Sequence, residues 1–184
     1  YSSSLVGFVS CVLETARLVW LRPPMGRKQE RGIFPERSLM YFDLQVNGYG
    51  GVDFNQDDLT AEQIHAACEK LREDQVGAVL ATVITESIDS MAHRLRRIVE
   101  LREQDPLARE MIAGLHVEGP FITEQDGYRG AHPLDAVMPA DVDVMDRLLD
   151  AGAGLPRIVT LAPERDDGHR VTRFLAEKGI EVSA

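Results

Sequence analysis

The sequence predicts an α/β fold with a parallel sheet, and three observations support this prediction. From residue 41 onward, short apolar runs rich in β-branched residues alternate with longer amphipathic stretches. Each strand-plus-helix unit is about 30 to 35 residues long, as expected for repeated βα units with right-handed crossovers. Polar and glycine-rich segments follow the strand ends at 47–58 and 119–135. A doubly wound sheet and part of a (β/α)8 barrel are the alternatives, and the unit length and the loops favour the barrel.

The predicted elements follow one another in a regular order from Tyr41. Thr60 and Gln63 have the spacing of a capping box and predict the start of the first helix. A complete barrel takes about 250 residues, so this stretch predicts about half of one. Strands are predicted at 41–46, 77–84, 111–118, 157–163 and 180–184, and helices from about Thr60, over 87–105, around 140–151 and around 167–178. The prediction is therefore a partial (β/α)8 barrel with about five strands and four helices.

Residues 1–40 differ in composition from residues 41–184. They carry six Lys and Arg against three Asp and Glu, whereas the whole chain has a net charge of −10. Glu14 and Arg17 interrupt the apolar stretch 5–21, so it predicts neither a membrane span nor an export signal. Met40 directly precedes the first strand. We therefore expect two parts, an N-terminal extension over 1–40 and the barrel segment over 41–184, with the natural start near Met40.

The overall charge and the cysteines exclude several classes of function. An acidic chain with a pI near 4.9 repels nucleic acid and anionic membranes, so neither is expected as a partner. Cys11 and Cys68 lack metal-type spacing. Two cysteines in segments of different composition indicate no disulfide framework and fit a reducing compartment, so a cytoplasmic location is expected.

The first predicted strand ends in the motif "DLQVNGYGG", residues 43–51. Gln45 and Asn47 are two residues apart, so both side chains lie on one side of the strand, which in a barrel faces inward near the mouth. The Asn-Gly pair is typical of a hairpin, but no obvious second strand follows, and a βα loop is expected. The motif lacks the spacing of a dinucleotide fingerprint or a P-loop, so nucleotide binding is not predicted.

The third predicted strand ends in "LHVEGPF", residues 115–121. His116 and Glu118 share one face, and a carboxylate at such a position is costly to desolvate unless it is paired or bound to metal. Two roles for Glu118 therefore remain open, a buried ion pair with an arginine such as Arg129, and a metal ligand. His-x-Glu also begins the zinc deaminase signature, but the Cys-x-x-Cys that should follow it is missing.

The loop 122–133 is long and polar, which is typical of a substrate loop. Within it, His132 is either an orienting donor or a surface histidine. Glu164 is expected to cap the helix that follows the fourth strand. The remaining histidines are interpreted as structural or solvated: His65, His93 and His169.

Four motifs in order, "FDLQVNGYGGVDFN", "LHVEGPF" followed by "GAHP", "VTLAPE" and "GIEVSA", resemble the N-acetylglucosamine-6-phosphate deacetylases of the amidohydrolase superfamily. The resemblance covers residues 41–184 and implies a metal-dependent (β/α)8 barrel. It implies hydrolysis of N-acetylglucosamine 6-phosphate to glucosamine 6-phosphate and acetate in amino-sugar catabolism. The alternative is a catalytically inactive half-barrel that acts as a binding or assembly partner.

The resemblance also implies roles for individual residues. Glu118 corresponds to the carboxylate that binds one catalytic divalent cation, expected to be Zn²⁺, while Ala131 and His132 correspond to residues that contact the sugar. Gln45, Asn47 and His116 are expected to line the site. Two metal-binding histidines and the aspartate that acts as general base and acid are expected beyond Ala184, the first histidine two residues after it. No catalytic residue is therefore expected within the chain, and by itself it is expected to be inactive.

Both edges of a half-barrel would carry unpaired strands, so an isolated fragment is expected to dimerise or aggregate. For a full-length protein, a homodimer acting on a phosphorylated amino sugar is expected.

Overall fold

A computed structural model describes residues 41–184 of the chain, and it contains one parallel five-stranded sheet. The strand order is β1-β4-β5-β6-β7, with every neighbouring pair parallel. A short antiparallel pair, β2 and β3, lies between the first two of these strands in the chain. The strands are β1 Tyr41–Val46, β2 Gly48–Tyr49, β3 Val52–Asp53, β4 Val76–Ile84, β5 Ile112–Glu118, β6 Pro156–Thr160 and β7 Glu181–Ser183.

The connections between the strands of the large sheet are helical. Thr60 and Gln63 form the predicted capping box at the start of the first helix, with both reciprocal hydrogen bonds present. The α-helices are α1 Ala61–Glu73, α2 Ile88–Gln104, α3 Pro106–Met111, α4 Val142–Ala151 and α5 Arg170–Glu177. Two short 3-10 helices, Pro163–Arg165 and Asp167–His169, precede α5.

The strand order decides between the two architectures that the sequence left open. A doubly wound sheet reverses its strand order at a switch point, whereas a barrel adds each new strand beside the previous one. In the large sheet, each strand lies beside the next one along the chain without reversal. The fold is therefore a parallel half-barrel sheet with helices, as predicted.

Two local features were not predicted. The connection from β1 leads to α1, as expected, but it contains the β2–β3 hairpin, whose turn is made by Gly50 and Gly51, both at positive φ, and not by Asn47 and Gly48. An additional helix, α3, precedes β5. Asp105 is its N-cap and accepts hydrogen bonds from the N–H groups of Leu107 and Ala108. The described residues accordingly hold five α-helices rather than four.

The predictions for residues 1–40, namely the extension, the interpretation of the stretch 5–21 and the natural start at Met40, lie outside the described residues. Among residues 41–184, no helix combines the length and the apolar character that crossing a membrane requires.

The core lies between the sheet and the helices. Buried apolar side chains of β4 and β5, such as Val83 and Val117, pack with those of α2, such as Leu95 and Ile98. The outer strand β1 is less buried than β4 and β5, since Tyr41, Phe42 and Leu44 are between 50% and 70% exposed. The carboxyl ends of the parallel strands β1, β4, β5 and β6 lie at one edge of the sheet, which we call the rim.

The start of α5 depends on a single buried carboxylate. Asp166 is 2% exposed and accepts hydrogen bonds from the N–H groups of Val171 and Thr172 and from the Thr172 hydroxyl. Burial raises the pKa of Asp166, but these hydrogen bonds outweigh burial and hold the pKa below its usual range. The predicted cap, Glu164, lies instead in the 3-10 helix Pro163–Arg165 and is exposed.

Replacing Asp166 with alanine is expected to lower the free energy of unfolding by about 1 to 3 kcal/mol at neutral pH, because two amides and a hydroxyl lose their acceptor. Since the folded-state pKa is lowered, this contribution is complete above the unfolded pKa near ~3.9 and is lost as the pH falls through the folded value. Urea denaturation at pH 7 and at lower pH measures both effects. The matched control is Asp167→Ala, an exposed neighbour, for which a change within about 0.5 kcal/mol is expected. Equal losses for the two variants would contradict this account of the cap.

Candidate functional site

The rim collects polar side chains from four parallel strands. The register pairs Ile84 with Glu118 and Glu118 with Thr160, so the end of β5 lies between the ends of β4 and β6. Gln45 near the end of β1 reaches across β4 and contacts Glu118. Residues that are 73 positions apart in the sequence therefore meet at one point.

Glu118 accepts one hydrogen bond at the rim and lies near a histidine ring. Its Oε2 accepts a hydrogen bond of 2.7 Å from the Gln45 side-chain amide, and its Oε1 lies 3.7 Å from Nε2 of His132. The Glu118 side chain is only 17% exposed. Arg129 does not contact it, because the guanidinium of Arg129 donates to the His132 carbonyl and lies 3.5 Å from Asp126.

The structure does not show the ion pair with Arg129 that the sequence left open, and the basic side chain near Glu118 is His132. Among residues 41–184, no lysine or arginine pairs with this carboxylate. A mostly desolvated carboxylate without a compensating cation costs several kcal/mol. The arrangement favours a site that receives a cation or a hydrogen-bond donor from outside the described residues.

His116 joins three strands below the rim. Its Nδ1 lies 3.1 Å from the Leu44 carbonyl of β1, and its Nε2 lies 2.7 Å from the Thr160 hydroxyl of β6. Because a carbonyl only accepts hydrogen bonds, Nδ1 carries the proton and donates to Leu44. Burial lowers the pKa of His116, only partly offset by the Leu44 carbonyl and the Glu118 charge, so the ring is neutral and its Nε2 accepts from Thr160. Both ring nitrogens are therefore hydrogen-bonded to other strands of the sheet.

His132 reaches the rim from the long loop after β5. Its ring is 16% exposed, and its Nδ1 lies 2.8 Å from the hydroxyl of Thr85, the residue after β4. Ala131 beside it is exposed. Asn47 is also exposed, and its backbone carbonyl accepts a hydrogen bond from the Phe54 N–H within the loop that contains the β2–β3 hairpin.

The other three histidines lie elsewhere. His65 on α1 contacts Asp105 at 2.6 Å, and His93 on α2 contacts the Asp57 carbonyl at 3.0 Å. His169 directly precedes α5 and is exposed. Their interpretation as structural or solvated stays a prediction, and these contacts are consistent with it.

Sequence reasoning missed two residues at the rim. Thr85 is 2% exposed, and its hydroxyl contacts both the Glu118 carbonyl and His132. Thr160 contacts His116. Both are threonines at or directly after the end of an apolar strand, which is a usable but weak signal, because threonine is common in strands.

The residues that are described do not complete a metal site. Within 41–184, no three His, Cys, Asp or Glu side chains come together as potential ligands. Protein zinc sites generally take three or four such ligands. Glu118 fits the chemistry of one ligand, since it is ionisable, oriented by Gln45 and at the rim.

Curated relatives match most of this chain but only part of their own length. It is 33% identical over 146 residues to the N-acetylglucosamine-6-phosphate deacetylase of Homo sapiens, covering 78% of this chain and 35% of the relative. The enzyme of that name from Bacillus subtilis (strain 168) is 28% identical over 142 residues, covering 76% and 35%. The N-acetylgalactosamine-6-phosphate deacetylase of Escherichia coli O157:H7 is 30% identical over 142 residues, covering 77% and 36%. The chain thus spans about a third of the length of these relatives.

Solved structures agree with the sequence comparison. The crystal structure of N-acetyl-D-glucosamine-6-phosphate deacetylase from Mycobacterium smegmatis superposes with a TM-score of 0.67 at 26% identity, covering 78% of this chain and 38% of that one. A variant of that enzyme in complex with N-acetyl-D-glucosamine-6-phosphate gives 0.66 at 26% identity, covering 78% and 35%. No protein-family model matches the chain.

Proposed function

The chain is homologous to a segment that makes up about one third of the length of the N-acetylglucosamine-6-phosphate deacetylases, and we propose that it supplies Glu118 and the residues around it to such an active site. The reaction is hydrolysis of the N-acetyl group of N-acetylglucosamine 6-phosphate, giving glucosamine 6-phosphate and acetate. The observation that carries the proposal is Glu118 itself, a carboxylate 17% exposed at the rim, oriented by Gln45 and facing His132.

In this proposal, Glu118 contributes one ligand to a divalent cation. When bound, such a cation polarises the amide carbonyl and makes water a better nucleophile at neutral pH. Gln45 donates to Oε2 of Glu118 and so fixes the carboxylate's orientation. Orientation matters because a ligand that is already held in place loses little conformational freedom on binding.

The substrate side of the proposal uses the loop after β5. Ala131 and His132 would contact the sugar, and the Arg129 guanidinium holds their turn by donating to the His132 carbonyl. Cleavage of the amide also requires a proton for the leaving amine. No described residue is assigned to that step, which is proposed to belong to the remaining two thirds of a complete enzyme.

Three narrower parts belong to the same proposal. The cation is proposed to be Zn²⁺, since carboxylate and imidazole ligands suit zinc. A cytoplasmic location is proposed because Cys68 is a free thiol, as is usual for proteins kept in reducing conditions. A complete enzyme is proposed to be a homodimer that binds a phosphorylated amino sugar.

A chimeric enzyme tests the proposed function. Residues 41–184 would replace the matching segment of the Bacillus subtilis relative, and acetate release from N-acetylglucosamine 6-phosphate would be measured. We expect turnover that a chelator abolishes and added Zn²⁺ restores, because the metal site needs ligands from both parts. N-acetylgalactosamine 6-phosphate serves as the second substrate, since a relative with that activity is similarly close.

The unmodified relative is the positive control, and circular dichroism establishes that the chimera is folded. A folded chimera that binds the sugar phosphate but releases no acetate would contradict the proposal and favour the inactive binding partner. Preference for N-acetylgalactosamine 6-phosphate would support the proposed hydrolysis of an N-acetyl group but would identify a different sugar phosphate as the substrate.

A further inference from the structure

The first strand of the sheet contains a β-bulge just before it reaches the rim. Between Asp43 and Val46, β1 advances three residues, whereas its partner strand β4 advances only two, from Val79 to Ala81. β1 therefore holds one residue more than regular pairing allows, at positions 44 and 45. Bulges bend a strand and redirect its side chains, and they are common next to active sites.

The bulge decides on which face of the sheet the Gln45 side chain lies. With regular pairing after Asp43, Gln45 itself would lie opposite Ala81, a fully buried residue of the core. Because of the extra residue, Val46 takes that position and joins the core. Neighbouring residues of a strand point to opposite faces, so Gln45 points to the face on which its amide donates to Glu118 at 2.7 Å.

A buried hydroxyl from β4 holds the bulge in place. The N–H of Val46 donates to Oγ1 of Thr82 at 3.0 Å, and this hydroxyl in turn donates to the Leu80 carbonyl at 3.3 Å. Because a hydroxyl can accept and donate at once, Thr82 connects an N–H of β1 to a carbonyl of β4 across the gap that the extra residue opens. Thr82 is 0% exposed, so bulk water does not compete for these bonds.

The neighbouring hydrogen bonds leave this role to Thr82. The Gln45 N–H donates to Oδ1 of Asp43 at 3.0 Å, but both residues are exposed, and water can replace an exposed acceptor. Beyond the bulge, the Asn55 side chain continues the pairing, since it contacts the Thr82 carbonyl at 3.0 Å and the Ile84 N–H at 2.9 Å. Of these contacts, the one between Val46 and the Thr82 hydroxyl is both buried and located at the bulge.

We propose that Thr82 is a positioning residue for the carboxylate of Glu118: its hydroxyl holds the bulge of β1, and the bulge turns the Gln45 amide toward that carboxylate. The effect of this arrangement on cation binding rests on the proposed function, whereas the bulge and the contact between Gln45 and Glu118 do not. In this proposal Thr82 touches neither the cation nor the substrate and acts through Gln45.

Nuclear magnetic resonance of the ¹⁵N-labelled 184-residue chain tests the proposal without metal or turnover. The side-chain amide of Gln45, assigned by its loss in Gln45→Met, is expected to show one proton shifted downfield by its hydrogen bond to the carboxylate. The Val46 N–H is expected to exchange slowly with solvent, because its acceptor is buried. Both signals are expected to remain in Thr82→Ser, which keeps the hydroxyl.

The matched variant is Thr82→Val, which keeps the shape and removes the hydroxyl. We expect the Val46 N–H to exchange about tenfold faster or more, and the Gln45 amide to take the shift of a solvent-exposed amide. Val83→Ala is the control, since it leaves a cavity in the core beside the same part of β4 and removes no polar contact. Both signals are expected to stay in that variant.

Two results would overturn the proposal whether or not Thr82→Val folds. One is a solvent-like Gln45 amide or a rapidly exchanging Val46 N–H in the unmodified chain, and the other is loss of both signals in a folded Thr82→Ser. A folded Thr82→Val that keeps both signals would overturn it too. Loss of the signals in Val83→Ala would mean that any weakening of the sheet releases Gln45, which would also contradict a specific role for Thr82.

The chimera connects the bulge to the metal site. There we expect Thr82→Val to weaken zinc binding by about 10- to 100-fold, as is typical when a group that orients a metal ligand is lost, and Val83→Ala to change it by less than about twofold. Equal Kd values for zinc in the unmodified chimera and its Thr82→Val variant would contradict the role toward the cation. A chimera that binds no zinc, combined with the expected Gln45 and Val46 signals in the 184-residue chain, would contradict the proposed function alone.

Discussion

The 184-residue polypeptide by itself is expected to release no acetate from N-acetylglucosamine 6-phosphate and to retain no stoichiometric zinc through gel filtration. The physical reason is the number of ligands. A catalytic zinc site takes three protein ligands, and residues 41–184 bring no three candidate side chains together. One oriented carboxylate at the rim does not replace the other ligands or the proton donor that the leaving amine needs.

The measurement is acetate release together with the metal content of the polypeptide after gel filtration in the presence of zinc. The Bacillus subtilis relative, treated in the same way, shows that the assay detects a complete site. Turnover by the 184-residue polypeptide that a chelator abolishes and zinc restores would contradict this expectation. It would mean that the polypeptide, or an assembly of its copies, completes a site that the described residues do not form.

The sequence predicted the large sheet well because its signal is regular. Continuous apolar runs such as 77–84 and 111–118 are typical of strands covered by helices, and β4 and β5 occupy nearly these positions. The capping box at Thr60 was also confirmed. These features depend on residues that are close together in the sequence, so the sequence pattern is enough to predict them.

The unpredicted features occur where short segments depend on individual hydrogen bonds. The β2–β3 hairpin has two residues in each strand, too few for any periodicity. Helix α3 has six residues and is capped by the Asp105 side chain. The sequence pattern did not distinguish it from the helix that precedes it. The first turn of α5 is held by Asp166, two residues after the predicted Glu164.

The partners of Glu118 could not be predicted from spacing alone. An ion pair with Arg129 and a metal ligand were equally compatible with "LHVEGPF", because spacing shows which face a side chain shares and not which distant residue meets it. Gln45 lies 73 residues away in sequence, and its contact with Glu118 depends on how the strands are ordered. Thr85 was missed for the same reason, since its contact with His132 depends on a loop 47 residues further along the chain.

Replacing Glu118 with glutamine in the chimera is expected to remove the bound metal and to lower kcat/KM by at least about 10³-fold. Glutamine has nearly the same shape but no negative charge, so the cation loses an ionic ligand, and several kcal/mol of charge stabilisation correspond to a loss of this size. The matched control is Glu124→Gln, an exposed carboxylate of the same loop segment that contacts Arg165 at 3.3 Å. Its activity is expected to stay within about twofold, as for most surface substitutions.

The metal content of the purified chimera, compared between Glu118, Glu118→Gln and Glu124→Gln, tests the central claim most directly. If Glu118 binds the catalytic cation, the unmodified chimera and Glu124→Gln retain one metal ion per chain after dialysis, and Glu118→Gln retains none. A folded Glu118→Gln chimera that keeps its metal and its turnover would contradict the claim.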